Sequence, residues 1–122
     1  RVQRSRTTFP LTAAGVTALY GAGIYEDRVI DRGLIYLTRH RPRRYEALNT
    51  FDYYYGMYYA TQAAFQRGGE YWTLWHKNTW SDILSLQNPD GSWQDLVGPN
   101  YATAMACIIL EIPFQYLPIF ER

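Results

Sequence analysis

Apolar positions in this chain recur at three- and four-residue intervals, and glycines, prolines and Asn/Asp clusters interrupt them. That is the rhythm of helices with one buried face. Pro10 suits a first helical turn with Thr8 nearby to cap, so a helix is expected over 10–21. Its face is built from Ala13, Ala14, Gly15 and Ala18, with Leu11, Leu19 and Tyr20 as larger contacts, and Gly21-Ala22-Gly23 ends it. Residues 1–9, with Arg1, Arg4 and Arg6, read as a flexible, unanchored basic arm. Glu26 and Asp27 favour a second helix start, and Ile30, Leu34 and Leu37 make one stripe of a helix reaching Thr38.

A linker rich in Arg and Pro follows over 38–49, and Thr50 is the expected cap of a third helix. That helix carries Tyr53, Tyr54, Tyr55, Met57, Tyr58 and Tyr59, then Ala60-Thr61-Gln62-Ala63-Ala64, and stops at Gly68-Gly69. A fourth, over 70–87, has Trp72, Trp75, Thr79, Ile83 and Leu86 at helical spacing. Next comes Gln87-Asn88-Pro89-Asp90-Gly91-Ser92-Trp93, where Pro89 fixes one φ and Gly91 admits a positive one. Gln87 and Trp93 flank this turn, an amide for orphan backbone groups and an indole to cover it. After a loop over 94–100, Asn100 is expected to cap a fifth helix that Pro113 ends, leaving an apolar tail over 114–122 as a strap on the body.

The segments also repeat. One shift lays Thr12-Ala13-Ala14 over Thr61-Gln62-Ala63 and Leu34, Ile35 and Leu37 over Ile83, Leu84 and Leu86. A second carries Tyr59-Ala60-Thr61-Gln62 onto Tyr101-Ala102-Thr103-Ala104. Each unit is a small-residue helix, a glycine turn, a bulkier amphipathic helix and a long loop. The small-residue helices tolerate crowding on both sides and so are expected inside the bulkier ones.

Composition narrows the chemistry. The 122 residues are enough for one domain, and 17% aromatic content with 12 Tyr suits half-wet grooves and interfaces. A net charge of +1 removes any global electrostatic case for nucleic acid, and the basic run Arg39 to Arg44 reads as a solvated linker. No run approaches the roughly 18 apolar residues of a membrane span. Cys107 is the single cysteine, excludes an internal disulfide and is expected as an inert buried thiol. His40 and His76 stand apart, so no metal or other cofactor is expected. The chain opens Arg1-Val2-Gln3 with no signal-peptide pattern and reads as a fragment, a processed form or an excised domain.

Gln87-x-x-x-Gly91-x-Trp93 on alternating helices resembles the terpenoid cyclase and protein prenyltransferase superfamily, in its squalene–hopene cyclase-like branch. The resemblance covers residues 10–112, and Asp90-Gly91-Ser92-Trp93 followed by Tyr101-Ala102-Thr103-Ala104 is its most specific part. It implies an all-α fold: a partial α/α toroid of antiparallel helix hairpins, the inner helices lining a cavity open at one end. Two and a half hairpins make only an arc, so more chain or a second copy must close it. The family's catalytic groups do not carry over. No acid precedes Thr12-Ala13, Thr61-Gln62 or Thr103-Ala104, where active cyclases place an Asp-rich motif. Cys107 lacks the Asp neighbour of a prenyltransferase zinc site, and the Cys-Gly-Glu-Gln run of the related thioester domains is absent.

The expected cavity lining is Tyr54, Tyr55, Tyr58, Tyr59, Gln62 and Tyr101, suited to an apolar or isoprenoid-like ligand. Asp52 is the one acid beside these tyrosines: either a buried proton donor or a first-turn carboxylate at a helix N-terminus. Gln87, Asp90, Gly91 and Trp93 are expected to be structural. Trp72, Trp75 and Trp80 are too many for one face, so one should meet a neighbouring repeat or subunit. Three readings follow: a toroid-type binding or interaction module without its own acid, a fragment of a cyclase whose acid lies in other repeats, and a HEAT-type solenoid. The Gln-to-Trp turn argues against the last.

Overall fold

The apolar stripes fold into five α-helices in a computed structural model, which describes residues 2–50 and 52–114, with side chains from residue 8 onward. They are α1 (Val2–Gly21), α2 (Arg28–Arg39), α3 (Tyr53–Arg67), α4 (Gly69–Ser85) and α5 (Pro99–Glu111). Short 3-10 helices occupy Arg44–Leu48 and Ile112–Phe114, and there is no strand among the described residues. The expected all-α class is therefore observed. Residues 115–122, most of the expected strap, lie outside the described residues.

α3 is the hub. It touches α1, α2, α4 and α5, and its Tyr53, Tyr54, Gly56, Met57, Ala60, Thr61, Ala63 and Ala64 are all buried. Pro10 on α1 lies at Gly56 in the first turn of α3, and the Thr17 hydroxyl donates to the Tyr59 carbonyl at 2.9 Å, so α1 and α3 run parallel. α2 folds back along α1 in the antiparallel sense: Thr8 and Tyr36 share a hydrogen bond at one end, and Val16 meets Gly33 nearer the other. A Cβ on Gly33 would stand 2.5 Å from the Val16 Cγ2, so only glycine permits that helix separation. α4 returns along α3, with the buried Trp75 indole donating to the Thr61 hydroxyl at 3.0 Å. The Tyr71 hydroxyl on α4 donates to the Leu34 carbonyl at 2.7 Å, and Arg41 beyond α2 pairs with Asp82 at 3.1 Å. Two hairpins thus lie side by side in the same sense, with α5 on the far flank of α3.

Ile30, Leu34 and Leu37 are buried on α2 as expected; of the stripe expected on the fourth helix, Trp75, Thr79 and Ile83 are buried, while Trp72 is half-buried and Leu86, also half-buried, is the C-cap of α4. Several helix ends differ from expectation. α1 begins at Val2 rather than Pro10, so residues 2–9 are helical and not an arm. Pro10 sits inside the helix, where its ring and Phe9 are buried against Gly56; tertiary packing outweighs the missing N–H. Thr50 does not cap α3. Its hydroxyl donates to the Glu46 carbonyl at 2.9 Å, and Asp52 takes the cap position. α5 starts with Pro99 at its first turn and Gly98 as its cap, so Asn100 is already inside. Cys107 is exposed rather than buried, because α5 buries Ala102, Ala106 and Ile109 and turns its next face outward. The turn after α1 is closed by a Gly23 N–H bond to the Tyr20 carbonyl and an Ile24 N–H bond to the Leu19 carbonyl, a Schellman arrangement.

Candidate functional site

Two features concentrate polar and aromatic groups around α3: the turn between α4 and α5, and the tyrosine-rich side of α3 itself. The turn is built as its residues dictate. Gly91 has φ +92, and Asp90 accepts hydrogen bonds from the Ser92 N–H at 3.0 Å and the Ser92 hydroxyl at 2.6 Å. Those two bonds hold the Asp90 carboxyl below the usual carboxylate range. Gln87 and Trp93 then act differently. The Gln87 amide stays within the turn and donates to the Gly91 carbonyl at 2.9 Å. The Trp93 indole, 3% exposed, donates to the Ile83 carbonyl at 2.7 Å, a group in the last turn of α4 that also accepts the capping Leu86 N–H at 3.1 Å. Its own N–H donates to the Thr103 hydroxyl on α5 at 2.9 Å, and that hydroxyl donates back to the Trp93 carbonyl at 3.3 Å. Trp93 therefore joins the end of α4 to the start of α5.

On α3, the expected lining residues separate into two depths. Tyr55 is 40% exposed, while Tyr58, Tyr59 and Gln62 are half-buried, and together they form one shelf. Tyr55 and Tyr59 pack edge to face at 5.1 Å, Tyr58 and Tyr59 at 5.0 Å, and the Gln62 amide donates to the Tyr58 hydroxyl at 3.1 Å. Tyr101 on α5 is close enough to Tyr55, Asp95 and Asp52 that their charges, after burial, hold its phenol above its usual value. Tyr54 is not on the shelf. It lies behind it, fully buried, with its phenol pushed up to about 12, first by burial and then by Asp95. Asp52 stands at the N-terminal end of α3 without bonding a backbone N–H. It lines a cavity of about 20 Å³ with Phe9, Pro10, His40, Glu46, Thr50 and Tyr53, room for about one water molecule.

Sequence reasoning missed two polar anchors. Asp95, in the loop before α5, accepts from the Val97 and Gly98 N–H groups at 2.8 and 3.0 Å; its second oxygen is buried without a partner, as is the Tyr54 hydroxyl. The signal was Asp95 three residues before Gly98-Pro99, a turn that precedes a helix start. Arg41 bonds Asp82 and the Thr79 hydroxyl and lies 5.3 Å from the Trp75 ring centre, so this part of the basic linker is a structural brace. Trp72, His76 and Trp80 line up on α4, one step round from the residues that meet α2, with Trp72 and His76 at 5.0 Å and His76 and Trp80 at 4.3 Å. Among the described residues, no group of three or more His, Cys, Asp or Glu is placed to hold a metal ion, and no helix is long and apolar enough to cross a membrane. No family model, curated protein or solved structure matches this chain.

Proposed function

We propose that this chain is an arc of an α/α toroid of the terpenoid cyclase and prenyltransferase kind, acting as a binding module without a catalytic acid of its own. In this reading α1, α3 and α5 are the inner row and α2 and α4 the outer one. The ligand is apolar or isoprenoid-like and lies across the inner row. The observation that carries the reading is the shelf of Tyr55, Tyr58 and Tyr59, with Tyr101 of α5 near Tyr55, which presents ring faces and edges on a partly exposed side of α3. Such surfaces favour flexible hydrocarbon chains through burial and aromatic contact. No acid precedes Thr12, Thr61 or Thr103, so a cyclase built on this arc would have to draw its acid from other repeats.

The test is a titration of the chain with farnesol, read by quenching of tyrosine and tryptophan fluorescence, together with product analysis after incubation with squalene. Saturable quenching that weakens about tenfold in a Tyr55→Ser/Tyr59→Ser variant, with no cyclised product, is the expected outcome. Quenching that the double variant leaves unchanged removes the shelf from the reading. Cyclised product returns the chain to the enzymes.

A further inference from the structure

A second cleft lies at the other end of α1 and α3 from Asp52, and nothing in the reading above uses it. Its volume is about 460 Å³, within the size range of small-molecule sites, and its lining is Tyr20, Tyr25, Glu26, Asp31, Gln66 and Arg67. Three elements converge to build it. The last turn of α1 brings Tyr20, the α1–α2 connection and the first turn of α2 bring Tyr25, Glu26 and Asp31, and the last turn of α3 brings Gln66 and Arg67.

The groups in this cleft are not satisfied by one another. Tyr20 is only 4% exposed, yet its hydroxyl is buried with no hydrogen-bond partner. A buried hydroxyl without a partner costs stability unless something outside the chain supplies one. The only ion pair among the described residues is Arg41 with Asp82, so Glu26, Asp31 and Arg67 keep their charges free. Asp31 and Arg67 both sit close enough to Tyr20 to act on its phenol, in opposite directions, while burial holds it protonated. The Tyr20 and Tyr25 rings pack at 5.9 Å along one wall.

We infer that this cleft binds a small zwitterion, an α-amino acid in class. Glu26, Asp31 and the C-terminal ends of α1 and α3 all favour a positive group, which assigns them the ammonium. The Arg67 guanidinium, a planar fork of donors, takes the carboxylate. The Tyr20 hydroxyl, acted on by both Asp31 and Arg67, supplies the hydrogen bond that orients the ligand, and the exposed ring of Tyr25 lies beside its side chain. A divalent cation is the poorer occupant, since two carboxylates with an arginine beside them do not make a hard-cation site.

The experiment is an amide-resolved NMR titration of the full chain with L-leucine, with L-leucinamide (no carboxylate) and with N-acetyl-L-leucine (no ammonium). Leucine is expected to shift amides at residues 20–31 and 66–68 saturably, and each blocked analogue to bind at least about tenfold more weakly. Arg67→Gln should erase the preference for leucine over leucinamide, and Asp31→Asn the preference over N-acetyl-leucine. Both are surface substitutions that leave the helices intact. Tyr20→Phe should weaken leucine binding several-fold with unchanged far-UV circular dichroism. The inference is overturned if leucine gives no saturable shift in the cleft, or if either blocked analogue binds as tightly as leucine. Neither result bears on farnesol binding at the tyrosine shelf.

Discussion

Tyr53 and Tyr54 are neighbours on α3, both almost wholly buried, and neither hydroxyl has a hydrogen-bond partner. Their rings meet edge to face at 5.0 Å, so ring packing holds them, not their polar tips. Burial raises both phenols. The Asp82 charge raises Tyr53 further against Arg41, and Asp95 adds to Tyr54, which reaches about 12. A phenol is neutral when protonated, so below about pH 10 folded and unfolded chains hold the same proton and Tyr54 adds no pH dependence. Between about pH 10 and 12 the unfolded chain ionises first, and roughly 2 kcal/mol of folding stability drains away as pH rises. Tyr54→Phe is therefore expected to raise stability at neutral pH by about 1 kcal/mol, because an unpaired buried hydroxyl is removed, and to flatten the alkaline loss. Urea melts at neutral pH and near pH 11 measure both. A variant less stable at neutral pH would mean that the hydroxyl has a partner in solution.

At the scale of elements, the junction of α4 and α5 rests on Trp93 and not on Gln87. The indole bridges the Ile83 carbonyl and is buried in the core, whereas the Gln87 amide closes only its own turn. Trp93→Ala is expected to cost about 3–5 kcal/mol, and Gln87→Ala below about 1 kcal/mol, by urea denaturation. Equal costs would show that the two side chains act as one clasp. The sequence made Trp93 legible because Pro89, Asp90 and Gly91 can form little except a turn, and a turn places its flanking residues against the helix ends. The stripes Ile30-Leu34-Leu37 and Trp75-Thr79-Ile83 were legible for a similar reason: helical period depends on the chain alone. Thr50 and Asn100 misled because capping depends on where the backbone leaves the helix, which the Arg44–Leu48 turn and Gly98-Pro99 decide. Phe9 and Pro10 gave no sign of a longer α1, since the reason for it is Gly56 on another helix. Arg41 and the Tyr20 cleft were invisible for the same cause, since each acquires meaning only from residues distant in sequence, whereas Asp95 bonds its own turn and was overlooked despite a local signal.

For the molecule as a whole, α3 has helical neighbours on both flanks, whereas among the described residues α5 packs closely on α3 alone of the α-helices. Among those residues α5 has no comparable contact with α4, which leaves a groove between α4 and α5, and Trp72, His76 and Trp80 pack together along α4. On α5, Met105 and Leu110 are only partly buried and Cys107 is exposed. In a repeating hairpin array that groove is where the next outer helix packs. Leu11 on α1 is 66% and Ile35 on α2 is 51% exposed, so the first hairpin of the proposed arc also carries uncovered apolar residues. Faces of this kind, offset along one direction of repeat, associate head to tail and not through a single two-fold contact. Sedimentation equilibrium is therefore expected to show reversible, concentration-dependent growth beyond a dimer. Trp72→Lys with Trp80→Lys should abolish it by placing two charges in the groove; both rings also pack partly on the core, so an unchanged circular dichroism spectrum is the control that the fold survives. A wild-type chain that stays monomeric as concentration rises would mean that its edges are finished surfaces, and the arc would have to be given up.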